Sequence, residues 1–186
     1  MKILIITAPS GAGKTSITRH LMKKLPVLAF SVSATTRHPR GTEIEGLHYY
    51  FISEEAFKDK IHHNEFAEWE MVYEGKYYGT LKSELSRIWD AGQVPVLDID
   101  VKGAIHVQEE FGEGAMSIFI EPPSVDELKK RLQSRGTETD ESLAARVSKA
   151  AYELSFKEHF DKTIVNSDFD EACSAAEKIV SDFLNA

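Results

Sequence analysis

The stretch "APSGAGKT", residues 8–15, decides the fold of this chain. It nearly matches the pattern G-x-x-x-x-G-K-[ST], in which a glycine-rich turn between a strand and a helix wraps around phosphate groups. Ala8 stands where the pattern has its first glycine, whereas Gly13, Lys14 and Thr15 fit. That first position lies at the strand exit, so alanine is acceptable there if its φ is negative; a left-handed alanine costs about 1–2 kcal/mol.

Loops of this kind bind a nucleotide phosphate by several groups at once. Backbone N–H groups and the helix N-terminus bind phosphate oxygens, the lysine reaches the β- and γ-phosphates, and the Thr hydroxyl binds Mg²⁺. The alternative is a chance match in a surface turn, but the flanking apolar strand and helix favour a functional loop. The predicted phosphate-binding residues are Ala8, Pro9, Ser10, Gly11, Ala12, Gly13, Lys14 and Thr15.

Strands and helices alternate on both sides of the loop. The runs "KILIIT" (2–7) and "VPVLDID" (94–100) are continuously apolar, as buried parallel strands are, and helical spacing follows each of them. This order predicts an α/β fold with a parallel sheet covered by helices on both faces. The stretch from about 33 to 83 breaks the alternation, since it is rich in short strands and loops, and it predicts an inserted lobe.

Local signals mark several element boundaries. "EGK" followed by "YYG" predicts a hairpin after the strand 66–73, and Ser53 and Ser124 are expected N-caps. We also predict a helix from about Gly103 and a helix stop at Gly136.

Composition narrows the class of protein. The 186 residues are 42% hydrophobic and 28% charged, which is typical of one soluble domain, and the apolar runs are too short for a bilayer or a secretory signal. A net charge of -8 argues against a nucleic-acid partner. Cys173 is the single cysteine, which excludes an internal disulfide and fits a reducing compartment. We therefore expect a cytoplasmic protein with no membrane or nucleic-acid partner.

Two acids end the apolar strand at 94–100. Asp98 and Asp100 are placed as the acids that hold Mg²⁺ or its waters in phosphate-loop proteins. The alternative is a strand end that simply meets solvent.

Three arginines form a second candidate group. Arg131 and Arg135 share one helix face, and Arg146 on the next helix can join them across the Gly136 turn. Guanidinium groups match the oxygens of a migrating phosphoryl group, although arginines on helices commonly form a solvated face. The hairpin-like joint and the phosphate loop favour a mobile lid.

Several stretches together closely resemble guanylate kinases, in the same order and over nearly the whole chain. They are "SVSATTRHPRGTEIEGLHYYF" (31–51), "NEFAEW" (64–69), "YYGT" (77–80), "LDIDVKGA" (97–104) and "LKKRLQSRGTETDES" (128–142). The resemblance implies a three-layer phosphate-loop kinase fold in a single domain, with a core at 1–32, 84–123 and 156–186. It implies a GMP-binding lobe at 33–83 and a helical lid at 124–155.

The resemblance also implies an activity: transfer of the γ-phosphoryl group of ATP to GMP, giving ADP and GDP, with Mg²⁺, in purine nucleotide metabolism. On this basis the acceptor phosphate contacts Arg37, Arg40, Tyr49 and Tyr78, and Glu68 accepts from guanine N1–H and its 2-amino group. The remaining implied guanine contacts are Ser33, Thr80 and Asp100. The implied catalytic residues are Lys14, Arg37, Arg131, Arg135 and Arg146, and the implied metal-binding residues are Thr15 and Asp98.

Some alternatives stay open at this stage. Tyr49 and Tyr78 could be strand packing, and Glu68 a solvent-facing position, although neither explains the shared order of the motifs. Lys102 stands where the family more often has glutamine. Guanylate-kinase-like scaffold domains bind phosphorylated peptides without catalysis, and related kinases use other small acceptors. The sequence does not determine the oligomeric state.

Overall fold

The computed structural model describes residues 1–134 and 140–186. Helices and strands alternate along most of the described chain. In chain order they are β1 Ile3–Thr7, α1 Lys14–Lys24, β2 Leu28–Phe30, β3 Ala34–Thr35, β4 Tyr50–Phe51, α2 Glu54–His62, β5 Phe66–Tyr73, β6 Lys76–Leu81, α3 Lys82–Asp90, β7 Val94–Asp98, α4 Val101–Phe111, β8 Ala115–Glu121, α5 Val125–Gln133, α6 Asp140–Leu154, β9 Lys162–Val165 and α7 Phe169–Asn185.

The chain divides into two compact units. Met1 and residues 27–97 form the smaller unit, and residues 2–26 with 98–186 form the larger unit.

A parallel sheet is the centre of the larger unit. β1 pairs with β8 from Ile3↔Ala115 to Thr7↔Phe119, and β8 pairs with β9 from Ile118↔Lys162 onward. Every residue of β1 is buried, because helices cover the strand. α4 packs on β1 and β8, while α1 packs on α7. The predicted α/β class with a parallel sheet is confirmed.

The predicted helix caps can be compared with the structure. Ser53 accepts from the Ala56 N–H, and Ser124 accepts from the Glu127 N–H at 3.1 Å, so both predicted caps are confirmed. The helix expected from about Gly103 begins instead at Val101, and the preceding strand ends at Asp98 rather than at residue 100. The reason is that Asp100 is itself the N-cap of α4, a role that the apolar pattern did not show.

The smaller unit contains a parallel pair and a second sheet. β2 and β7 pair in parallel. The second sheet has the order β4-β3-β6-β5, and its β5–β6 hairpin confirms the predicted turn after residue 73. Gly79 allows the two hairpin strands to approach, since a Cβ there would lie 2.8 Å from the Glu68 carbonyl oxygen. The core of this sheet is Ala34, Phe57, Phe66 and Leu81.

The segment predicted as a lid contains two packed helices. α5 and α6 enclose a buried cluster of Leu128, Leu132, Leu143 and Ala150 in the larger unit. Gly136, the expected helix stop, lies outside the described residues. Across residues 1–134 and 140–186, no helix is long and apolar enough to cross a membrane.

Candidate active site

The glycine-rich turn connects β1 to α1. Gly11 and Gly13 have φ of 97° and 101°, values that favour glycine, and the Ala12 N–H donates to the Pro9 carbonyl at 3.0 Å. Among the described residues, Asn64 is the one non-glycine residue with a positive φ, so Ala8 carries no left-handed strain. The condition that the sequence set for alanine at position 8 is therefore met.

Lys14 and Asp98 come together at the start of α1. Lys14 Nζ forms an ion pair with Asp98 Oδ1, and the two side chains are 21% and 20% exposed. Thr15 is exposed in the same helical turn. A cation, a carboxylate and a hydroxyl therefore lie close to the glycine turn.

Asp100 has a structural task in the described molecule. Its Oδ1 accepts from the N–H groups of Lys102 at 3.1 Å and Gly103 at 2.9 Å. The carboxylate thereby caps α4 and compensates the partial positive charge at the N-terminus of this helix. Lys102, which departs from the family pattern, contributes a backbone N–H to this cap.

Two of the three predicted lid arginines are in the described region. The Arg146 guanidinium donates to Ser10 Oγ at 3.2 Å, which places it at the glycine turn. Arg131 Nη2 donates to the Asn166 carbonyl at 3.1 Å, and its Nε donates to Glu127. The third, Arg135, lies outside the described residues.

Glu153 is a residue near the loop that the sequence reasoning missed. Burial raises the pKa of this α6 carboxyl, Lys149 and Lys14 oppose the shift, and the charge of Asp100 adds to it. A signal was present: Glu153 follows Leu143 and Ala150 at helical spacing, so an acid stands on the apolar face of α6.

Three of the predicted acceptor residues meet in the smaller unit. Arg37 Nε donates to the Tyr78 hydroxyl at 3.2 Å, and its guanidinium carbon lies 4.8 Å from the centroid of the Tyr49 ring. The two tyrosine rings meet edge to face at 6.0 Å. An arginine held by two tyrosines in this way has a fixed orientation.

Glu43 occupies the other side of Arg37 and was not predicted. Its carboxylate accepts from Arg37 Nη1 at 2.5 Å and Nη2 at 2.7 Å, and from the Arg40 N–H at 2.8 Å. The Arg37 hydrogen bonds, with that from the Arg40 backbone, lower the pKa of Glu43 to about 2. The pKa of Arg37 is raised correspondingly. Arg37 and the Arg40 backbone thus bind the Glu43 carboxylate, while the Arg40 side chain is exposed.

The Glu43 pair makes stability depend on pH in one direction. The folded-state pKa of about 2 lies below the ordinary value of 4.5, so the stabilisation is present above pH 4.5 and is lost as the pH falls through 2. We expect the melting temperature of Glu43→Gln to fall below that of the unmodified protein at pH 7. The gap should narrow steadily from pH 4.5 to pH 2, measured by calorimetry.

The control is Glu109→Gln, an exposed carboxylate on α4. Its melting curve should follow the unmodified protein across the range. If the difference in melting temperature between Glu43→Gln and the unmodified protein does not change with pH, the stabilisation does not come from the ionised Glu43 carboxylate.

Glu68 and Thr80 form a buried polar pair on neighbouring strands. The Thr80 hydroxyl donates to Glu68 Oε1 at 2.6 Å, and Glu68 is 6% exposed. The carboxylate is therefore not a solvent-facing strand residue. Ser33 is half-buried, and its carbonyl accepts from the Tyr50 N–H at 2.9 Å.

Glu84 supports this region from α3 and was also missed. Its carboxylate accepts from the Val32 N–H and the Tyr50 hydroxyl, at 3.1 and 3.0 Å, and from Arg87. Burial by itself raises the pKa of Glu84, but hydrogen bonds from Arg87, Val32 and Tyr50 outweigh it and leave the pKa below its ordinary value. Glu84 thus connects Val32, which precedes Ser33, to Tyr50 of β4.

These features define a class of protein. An α/β fold in which a glycine turn carries lysine and threonine into the first turn of a helix is a phosphate-loop nucleotide-binding protein. Its arginines, at the glycine turn and beside the two tyrosines, suit it for phosphoryl transfer.

Comparison with known proteins gives the family. The family model described as "Guanylate kinase" matches residues 1–183. A guanylate kinase of Bacteroides fragilis is 46% identical over 183 residues, covering 98% of this chain and 90% of that protein. A guanylate kinase of Porphyromonas gingivalis is 44% identical over 184 residues, covering 98% of each.

A solved structure agrees with this result. The crystal structure of guanylate kinase from Anaplasma phagocytophilum matches with a TM-score of 0.77 and 32% identity, covering 97% of this chain and 85% of that one. The chain belongs to the guanylate kinase family. It is thus an enzyme of the nucleoside monophosphate kinase class, which confirms the predicted enzyme class.

Proposed function

We propose that the chain transfers the γ-phosphoryl group of ATP to the phosphate of GMP, giving ADP and GDP, in purine nucleotide metabolism. The observation that supports the proposal is that each unit holds a cationic side chain of a kind that suits a phosphate group. The larger unit has Lys14 on the glycine turn, and the smaller unit has Arg37 held by Tyr49 and Tyr78.

The donor set belongs to the larger unit. Residues 8–15 surround the β- and γ-phosphates of ATP and bind them through backbone N–H groups, which all of these residues except Pro9 possess. Lys14 neutralises charge that develops during transfer. Arg131, Arg135 and Arg146 supply further positive charge in the lid. Arg146 is supported in this role by its contact with Ser10.

The acceptor set consists of the residues that bind GMP. Arg37 and Arg40 bind its phosphate, with Tyr49 and Tyr78 as hydrogen-bonding partners. Glu68 reads the base, because a carboxylate can accept from both guanine N1–H and the 2-amino group, and adenine offers neither donor. Ser33, Thr80 and Asp100 complete the guanine contacts.

The chemistry requires positioning and charge rather than a strong base. The attacking atom is a phosphate oxygen of GMP, which is already ionised, so no side chain must remove a proton from it. Holding the two nucleotides in line and neutralising the equatorial oxygens of the γ-phosphoryl group then accounts for catalysis. Closure over both nucleotides excludes water, which would otherwise hydrolyse ATP.

Mg²⁺ is the proposed cofactor, and the residues present fit it. Mg²⁺ in kinases is typically held by one or two protein oxygens together with substrate phosphates and water. Thr15 and Asp98 are oxygen ligands of this kind near Lys14. When bound, the ion would neutralise phosphate charge. Within the described residues no group of three or more His, Cys, Asp or Glu could hold a metal ion.

The subdivision of the chain is part of the proposal. Residues 33–83 act as the GMP-binding lobe and 124–155 as the lid, on a core of 1–32, 84–123 and 156–186. We place the enzyme in the cytoplasm, with ATP and GMP as its partners and no nucleic acid, in keeping with its charge of -8.

The experiment follows ADP release across GMP, AMP, CMP and UMP while Mg²⁺ is titrated. GMP should be the preferred acceptor, and Asp98→Asn should require about tenfold more Mg²⁺ for half-maximal rate. ADP binding without metal should change much less. Asp90→Asn, at the exposed end of α3, is the matched control.

Two results would overturn these assignments. Equal use of AMP and GMP would refute the acceptor, and an unchanged Mg²⁺ requirement in Asp98→Asn would refute the metal role. ATP turnover also separates the enzyme from a phosphopeptide-binding scaffold domain.

A further inference from the structure

Asn166, directly after β9, connects three parts of the larger unit. Its side-chain Nδ2 donates to the Ala12 carbonyl at 2.7 Å, and its backbone N–H donates to the Glu121 carbonyl at 2.8 Å. Its own carbonyl accepts from Arg131 Nη2 at 3.1 Å. Asn166 is 5% exposed, and its side-chain bond to Ala12 is buried, whereas the bond from Arg131 is partly buried. One buried residue thus contacts the glycine turn, the end of β8 and a lid arginine.

The same side chain packs tightly against the turn. A Cβ built on Gly13 would lie 2.2 Å from Asn166 Nδ2, far below a possible contact distance. Gly13 is therefore required for two reasons: its φ of 101° and the amide that lies against it. The close approach and the hydrogen bond together fix the Ala12–Gly13 peptide.

We propose that Asn166 is a positioning residue for the donor triphosphate. Its amide holds the glycine turn in the shape in which backbone N–H groups converge on phosphate oxygens, and its carbonyl anchors Arg131 at the same point. The inference rests on the proposed function, because it assigns the glycine turn and Arg131 to the donor. Asn166 acts through the turn and needs no contact with the nucleoside part of ATP.

This role follows from preorganisation. A buried carbonyl that loses its hydrogen-bond partner is destabilised, and the turn can relieve this by rotating its peptides toward other donors. Such rotation misaligns the N–H groups that bind phosphate, and a misplacement of about 1 Å can cost about a hundredfold in rate. The loss of affinity should fall on ATP rather than on GMP, since the residues proposed to bind the acceptor phosphate belong to the smaller unit, whereas Asn166 belongs to the larger unit.

The test uses Asn166→Ala and Asn166→Asp in the full-length chain. Aspartate keeps the size of the side chain but opposes the Ala12 carbonyl with a second acceptor. The probes are ATP, GMP and inorganic tripolyphosphate as a competitor of ATP. For both variants we expect the KM for ATP and the inhibition constant of tripolyphosphate to rise about tenfold together, and kcat to fall about tenfold. The KM for GMP should stay within about twofold.

Competition by tripolyphosphate shows whether Asn166 affects binding of the triphosphate or of the nucleoside part of ATP. If the KM for ATP rises while the constant for tripolyphosphate does not, Asn166 acts on the nucleoside part and the proposal is wrong. If both substrates lose affinity equally, or only the melting temperature falls, the residue is merely structural and the proposal is also wrong. Asn185→Ala, at the exposed end of α7, should leave every constant unchanged.

A double-mutant cycle covers the case in which one variant folds poorly. Gly13→Ala alone must displace the amide of Asn166, whereas in an Asn166→Ala background the added methyl group has room. The strain of a left-handed alanine is the same in both backgrounds and cancels in the cycle, so the clash with Asn166 should make the two losses of tripolyphosphate affinity clearly less than additive. Full additivity would refute the coupling. An unmodified protein that does not prefer GMP would instead contradict the proposed function.

Discussion

Replacing Lys14 with methionine should lower kcat for GMP phosphorylation by at least about a hundredfold, which corresponds to about 3 kcal/mol of transition-state stabilisation. Methionine is an unbranched side chain one atom shorter than lysine, and it carries no charge. During transfer, negative charge spreads over the oxygens of the γ-phosphoryl group. The ammonium group of Lys14, in the first turn of α1, is the proposed cation that neutralises this charge. The loss should therefore appear in kcat more than in the KM for GMP.

The Lys14–Asp98 ion pair adds a second expected result, on stability, to this experiment. Removing the lysine leaves Asp98 without its cation, so a small decrease in melting temperature is expected beside the loss of rate. The matched control is Lys24→Met, an exposed lysine in the last turn of the same helix, which should keep normal activity. Turnover of Lys14→Met within about tenfold of the unmodified protein would refute the assigned role of Lys14.

Replacing Glu68 with glutamine should lower kcat/KM for GMP by about a hundredfold while leaving the KM for ATP within about twofold. Guanine presents N1–H and the 2-amino group side by side, and a carboxylate accepts from both. A glutamine amide offers one acceptor and then places an NH₂ group against a donor. Because Glu68 is 6% exposed, water cannot relieve this conflict.

The hydrogen bond from Thr80 to Glu68 Oε1 should survive in the glutamine variant, since an amide oxygen also accepts. The fold should thus be preserved, which a thermal melt would check. Glu74→Gln, in the exposed turn between β5 and β6, is the control and should leave both substrates unaffected. Steady-state kinetics with GMP and AMP would give the result, and an unchanged KM for GMP in Glu68→Gln would place the base pocket elsewhere.

Much of the fold was predictable because its signals are local. A continuous apolar run, a serine before a helical pattern and a glycine between two strands act on backbone dihedrals or on neighbours within a few residues. β1, the Ser53 and Ser124 caps and the β5–β6 hairpin were all predicted and are confirmed. Where the prediction was wrong, at the start of α4, one side chain had two competing interpretations: Asp100 could end a strand or cap a helix.

The sequence by itself determined the position of the phosphate loop, the alternation of strands and helices, and the family. The sequence also showed that Ala8 is tolerated if its φ is negative. Only the folded chain showed that Ala8 meets this condition. Only the tertiary structure decided that Asp98 pairs with Lys14, that Glu43 binds Arg37, and that Asn166 holds Ala12. Asp98–Lys14 and Asn166–Ala12 join residues more than 80 positions apart, and no local propensity encodes a hydrogen bond whose partner arrives with another element.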